Sequence, residues 1–143
     1  MSRRLARQMT LQTLFQMEFS QVKAEDAFVV VLEEQQEKVT KNGISYAEIL
    51  IQGVLENKAG LDELIAAYTK DWDITRLNRI DLAILRTAVY EMNFAKQVIS
   101  PSIAINEAVE IAKLYGDDES PRFINGILGK IVKEGSEKNV SGN

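Results

Sequence analysis

The sequence predicts an all-α fold, on three observations. Apolar residues recur at three- and four-residue spacing along most of the 143 positions, the period of an amphipathic helix. No alternating Val/Ile/Thr-rich segment bounded by turn residues is present, so strands have no support. The 2 prolines, Pro101 and Pro121, both come late, so nothing earlier forces a helix to stop.

Residues Ser2 to Phe19 read as the first helix. Leu11, Leu14, Phe15, Met17 and Phe19 make its second half apolar nearly all round, which predicts burial. Arg3, Arg4 and Arg7 share one arc of about 100° on the helical wheel, and these turns are expected to project from the body. Glu25 to Lys38 forms a second helix with Phe28, Val31 and Leu32 inward and Glu33, Glu34 and Glu37 solvated. Asn42-Gly43 ends the connection. Ser45 followed by Glu48 reads as a capping box, in which each side chain takes a donor left free at a helix start. From there Ile49, Leu50, Val54, Leu61, Leu64, Ile65 and Tyr68 predict one long helix, with Gly60 its expected irregularity.

Thr75 is placed to cap a short turn into the next helix, where Leu77, Ile80, Ile84 and Ala88 share a stripe. Asp81 and Glu91 fall inside that apolar arc. Each must find a partner there, because an unpaired buried charge is costly. Ser100-Pro101 breaks the chain. The following helix buries Ala104, Ala108, Ile111 and Ala112 and closes at Gly116. Ser120 as N-cap and Pro121 at the first helical position open the last helix, whose Gly126 predicts a close helix approach.

Three helices before Trp72 and at least three after it, about six to seven in all, predict two small bundles sharing one core. The N-terminal bundle covers about residues 2–70 and the C-terminal one about 72–134, with 135–143 as a flexible tail, all within one domain.

Composition excludes much chemistry. With no Cys and no His, disulfides, thiolates, the usual general base near neutral pH and most zinc, iron and copper ligand sets are gone. Neither GxxxxGK[ST] nor GxGxxG occurs. No catalytic residue, metal or cofactor is therefore expected. The longest apolar run, Ala27 to Leu32, is far short of the ~20 residues that cross a bilayer, so the protein is expected to be cytoplasmic and free of membrane.

The net charge of −4 is unevenly spread. Residues 1–17 hold three arginines and no acid, whereas residues 18–71 hold 11 acids and 5 bases. Arg3, Arg4 and Arg7 suit phosphate oxygens, or else simply solubilise the N-terminus; they weaken their own helix through its dipole, which tilts the reading towards function. Arg122-Phe123 offers a cation and a ring for an unpaired base, although Phe123 also fits the core stripe with Ile127 and Ile131. Asp117-Asp118-Glu119 lacks the ligand order of a calcium loop and reads as a solvated loop before a helix. Glu107 and Glu110, beside Lys113, read as surface ion-pair formers.

The order Trp72, Arg76-Leu77, Ile80-Asp81, Ile84-Leu85-Arg86, Tyr90-Glu91, Ile105-Asn106-Glu107-Ala108-Val109, Ala112-Lys113, Gly116 and Phe123-Ile124-Asn125-Gly126-Ile127-Leu128 resembles the NusB family of bacterial transcription antitermination factors. The resemblance implies a helical adaptor that pairs with NusE, a small-subunit ribosomal protein, and binds single-stranded boxA RNA. With other Nus factors and RNA polymerase, the complex then keeps transcription of ribosomal RNA operons processive. Carried over by position, Arg4 and Arg7 match the family's basic RNA-binding helix, Phe123 its RNA-contacting aromatic and Glu119 the acidic position beside it. Phe15 and Asp81 match the NusE-facing side. The family's N-terminus is often more basic than this one, so the isolated chain is expected to bind RNA weakly.

Two rivals stand beside this reading. One is a protein-interaction module that never touches RNA. The other is a detached NusB-like domain of a ribosomal RNA methyltransferase, which would need a cofactor domain and a catalytic cysteine. The apolar second half of the first helix also permits a homodimer.

Overall fold

The computed structural model describes residues 2–36, 38–69 and 74–141, with side chains over 3–36, 38–69 and 74–135. Glu37 and Trp72 lie outside the described residues. Among the described residues seven α-helices follow one another: α1 (Ser2–Phe19), α2 (Ala24–Glu33), α3 (Lys41–Glu56), α4 (Lys58–Ala67), α5 (Arg79–Val89), α6 (Pro101–Tyr115) and α7 (Ser120–Ser141). A 3₁₀ turn, Ile74–Arg76, precedes α5, and a π-helical turn, Tyr90–Phe94, extends it. Among the described residues there is no strand.

α5 is the axis of the core. Every residue from Asp81 to Val89 is buried, because α1, α4, α6 and α7 all pack around it. α1 lies along α2, α3 and α5, and α6 packs on α7 as a hairpin. Leu50, Leu61, Leu82, Leu85, Ile124 and Leu128 are wholly inside; each such side chain contributes roughly 1.5–3 kcal/mol. Arg86 fastens α4 to α5 through two hydrogen bonds to Asp62, at 2.7 and 2.9 Å.

Several boundaries move from their predicted places, each for a local reason. α2 stops at Glu33, short of Lys38: Glu33 and Glu34 oppose the dipole at its C-terminus, and no base stands in its last turn. α3 starts at Lys41 rather than Ser45, because the Thr40 hydroxyl caps it, accepting from the Gly43 N–H at 2.9 Å. The long helix breaks at Asn57, not Gly60. The Asn57 amide donates to the Gly53 carbonyl at 2.8 Å and so takes up an end group of α3. Gly60 instead lies under the Phe94 ring.

Asn78 caps α5, its Oδ1 accepting from the Ile80 N–H at 2.7 Å, and Thr75 lies in the 3₁₀ turn before it. Ser100 and Pro101 do more than break the chain, since they are the N-cap and first residue of α6. The start of α7 rests on a reciprocal pair: Asp117 Oδ1 accepts from the Ser120 N–H, and Ser120 Oγ accepts from the Asp117 N–H. Gly116 closes α6 as expected, and a Cβ there would collide with the Ser120 side chain. The close approach expected at Gly126 is absent, because a Cβ there would meet nothing. Phe19 is also corrected. It is 69% exposed and touches only the edge of Phe15 among the rings.

Candidate nucleic-acid interface

The three arginines of α1 are not equivalent. Arg3 is exposed, its guanidinium 4.3 Å from the centre of the Tyr46 ring, a favourable cation–π distance. Arg4, with half its side chain exposed, is held by α6. Its Nε and Nη2 donate to the two oxygens of Glu107 at 3.1 and 2.6 Å. Arg7 is buried, which corrects the expectation that it projects from the body. Its Nε and Nη2 donate to both oxygens of Glu91 at 2.9 and 2.8 Å, where the side chains are only 6% and 3% exposed.

Glu91 is thus the buried carboxylate whose partner the sequence demanded. The Tyr46 hydroxyl also donates to it, and Arg7 Nη1 reaches Glu107 at 3.4 Å. The electrostatics follow from these contacts. Burial, reinforced by the bond to Glu91, pushes the Tyr46 phenol up to about 12. Burial opposes the charge of Arg7, but the bond and charge of Glu91 outweigh it and raise its pKa. The Arg4 bond holds the Glu107 carboxyl below the usual carboxylate range. Arg3 and the outer half of Arg4 remain as the positive surface of this end.

From here a polar seam runs between α1 and α6. Arg4 meets Glu107 and Gln12 meets Tyr115, whose hydroxyl accepts from Gln12 Nε2 at 2.9 Å, both at the same separation of 103 residues. The two helices therefore run side by side in the same direction, and the eight residues between the contacts span about 12 Å. Beyond Tyr115 comes the turn that starts α7. There Arg122 is 88% exposed, Glu119 sits 4.0 Å from it in solvent, and Phe123 is half-buried against the core. The core stripe reading of Phe123 thus holds for part of the ring, and the rest is accessible. Asp117 serves as the cap described above, and among the described residues no acidic group is arranged to hold a metal ion.

The two positions matched to a partner side are Phe15 and Asp81. A groove of about 830 Å3 lies along α1, lined by Leu11, Gln12, Phe15, Phe19, Ile80 and Tyr115. Asp81 follows Ile80 and is buried. Its Oδ1 is the one buried side-chain polar atom without a hydrogen-bond partner among the described residues. Burial raises its pKa, a neighbouring Ser120 hydroxyl opposes the rise, and the charge of Asp117 adds to it. The Ser120 hydroxyl thus serves the carboxyl, and among the described residues no donor reaches its Oδ1.

A model of the NusB family matches residues 4–133. The chain belongs to the NusB family. The transcription antitermination protein NusB of Bacillus pumilus (strain SAFR-032) is 42% identical over 134 residues, which cover 94% of this chain and 97% of that protein. The solved structure of NusB from T. maritima superposes with a TM-score of 0.82 at 38% identity, covering 92% of this chain and 91% of that one. A crystal structure of the antitermination factors NusB and NusE in complex with dsRNA gives a TM-score of 0.80 at 27% identity, covering 93% and 97%.

The NusB match takes in Arg4, Arg7, Phe15, Asp81, Glu119, Arg122 and Phe123; Arg3 precedes it. The residues that carried the resemblance divide by job. In this NusB chain Ala108, Ile124, Ile127 and Leu128 are core, whereas Glu107 is the carboxylate on Arg4. Glu110 does pair with Lys113, at 2.8 Å, as the surface reading expects. Tyr46 carried no signal in the sequence, since nothing local distinguishes a ring that will face two arginines from any other half-buried tyrosine.

Proposed function

We propose that this NusB chain is a transcription antitermination factor, an adaptor without a chemical step that binds boxA RNA together with NusE and supports processive transcription of ribosomal RNA operons. Similarity over nearly its whole length to a chain solved with NusE and RNA is the observation that carries this reading. Arg3, the outer half of Arg4 and Arg122 supply contacts to phosphate; the accessible part of Phe123 stacks on an unpaired base, with Glu119 beside it. Arg7 acts through Glu91 by fixing α1, and so presents the other two arginines. NusE occupies the groove beside Phe15 and supplies a further donor to Asp81 Oδ1. Other Nus factors and RNA polymerase are reached through that pair, in the cytoplasm. Among the described residues no helix is long and apolar enough to cross a membrane.

The test is a titration of single-stranded boxA RNA with the chain alone and with NusE. The chain alone binds weakly, the pair binds tightly, and log affinity falls with log salt at a slope of roughly −2 for three phosphates. Arg4→Ala and Arg122→Ala together flatten that slope. The engagement of Arg4 and Arg7 by carboxylates also favours a second reading, a protein-interaction module without RNA binding. Retention of NusE with no RNA shift in either sample decides for that module.

A further inference from the structure

A second groove, about 550 Å3, opens on the other side of the N-terminal helices, between α2 and α3. Both helices lean on α1 rather than on each other, which leaves a slot between them. Its base is apolar, with Phe28 and Ile51 buried and Ile44 half-buried. Val29 and Leu55 form exposed lips, 50% and 38% accessible. Glu25, Glu48 and Glu56 stand around this floor, and none of them is in an ion pair among the described residues. None of these residues belongs to the arginine end, the seam or the Phe15 groove.

We propose that this groove receives a basic amphipathic helix from a partner protein. Shape argues for a helix. On α3 the lining residues Ile44, Glu48, Ile51 and Leu55 recur every three to four positions over about 16 Å, a ridge that fits roughly three turns of another helix. A helix seated there lies against α2 and α3, the two helices that pack on α1, and brings the group to four. Charge argues for the sign. The unpaired carboxylates repel RNA, anionic lipid and the same face of a second copy, and they attract lysines or arginines flanking an apolar stripe. Residues 18–71, with 11 acids against 5 bases, extend the same negative field.

The probe is a synthetic leucine-lysine helix of about four turns, labelled for fluorescence anisotropy, with a leucine-glutamate helix of equal length as its control. The full chain is isotopically labelled for NMR in parallel. The expected result is binding of the lysine helix only, with chemical-shift changes at Phe28, Ile44, Ile51 and Leu55. Glu48→Lys with Glu56→Lys weakens it by about tenfold or more, and Glu63→Lys, on α4 outside the groove, leaves it unchanged. Shift changes elsewhere, equal losses with Glu63→Lys, or no binding at all overturns the proposal. So does self-association of the chain that Leu55→Ser abolishes, which assigns the groove to a second copy.

Discussion

Replacing Arg7 by Ala separates a residue that builds the arginine end from one that touches its ligand. In the native chain the Arg7 guanidinium donates two hydrogen bonds below 3 Å to the Glu91 carboxylate, almost wholly out of water. The substitution leaves Glu91 with only the Tyr46 hydroxyl. Removing one member of a buried pair costs about 3–5 kcal/mol, because the remaining charge is stranded. The tyrosine offsets part of this, so a loss of about 3 kcal/mol is expected. Arg4→Ala breaks a half-exposed pair that solvent screens and should leave stability almost unchanged. Urea unfolding followed by circular dichroism measures both. Arg7→Met with Glu91→Met removes the charges together and should recover most of the loss. An Arg7→Ala variant as stable as Arg4→Ala, yet deficient in RNA binding, would refute the reasoning and return Arg7 to the ligand surface.

Three further outcomes follow from the same geometry. Glu107→Gln releases Arg4 from its carboxylate and should raise boxA affinity in the presence of NusE about three- to tenfold, equivalent to ~1 kcal/mol, read by the same anisotropy titration. Asp81→Asn removes a buried charge, one oxygen of which has no donor among the described residues, and should stabilise the isolated chain by about 1 kcal/mol at neutral pH while weakening retention of NusE. Because burial raises the Asp81 pKa above its unfolded value, wild type regains stability as pH falls through the folded pKa. The advantage of the variant in thermal unfolding should therefore shrink on acidification. Gly126→Ala, at an exposed helical position where a Cβ meets nothing, should raise stability by up to ~1 kcal/mol; a loss there would mean that α7 is packed against something.

The helices were legible because their signals are local. Apolar spacing placed the first helix over Ser2–Phe19, its observed span, and Ser100-Pro101 and Gly116 mark real ends of α6. Caps were harder wherever two candidates stood near one another. Thr40 and Ser45 both carry a hydroxyl, and the helix begins at the earlier because its donor-acceptor geometry with Gly43 is met first. The site was legible only in part. Burial of Glu91 announced a cation, but 84 residues separate it from Arg7, and no periodicity specifies a contact across that distance. Arg3, Arg4 and Arg7 look alike on a helical wheel. What distinguishes them is which neighbouring helix each one meets, and that is a property of packing alone.

The wide turn after Val89 bears on how such wheels are drawn. At Tyr90–Phe94 the Ala95 N–H reaches back five residues to the Tyr90 carbonyl at 2.9 Å, so each side chain is rotated out of phase with α5. That offset lets Tyr90 lie over Gly53 while Phe94 lies over Gly60, two glycines seven positions apart on separate helices. Deleting one residue here would restore the α-helical pitch and swing one of the two rings off its glycine, so the irregular turn works as an angular spacer between α3 and α4.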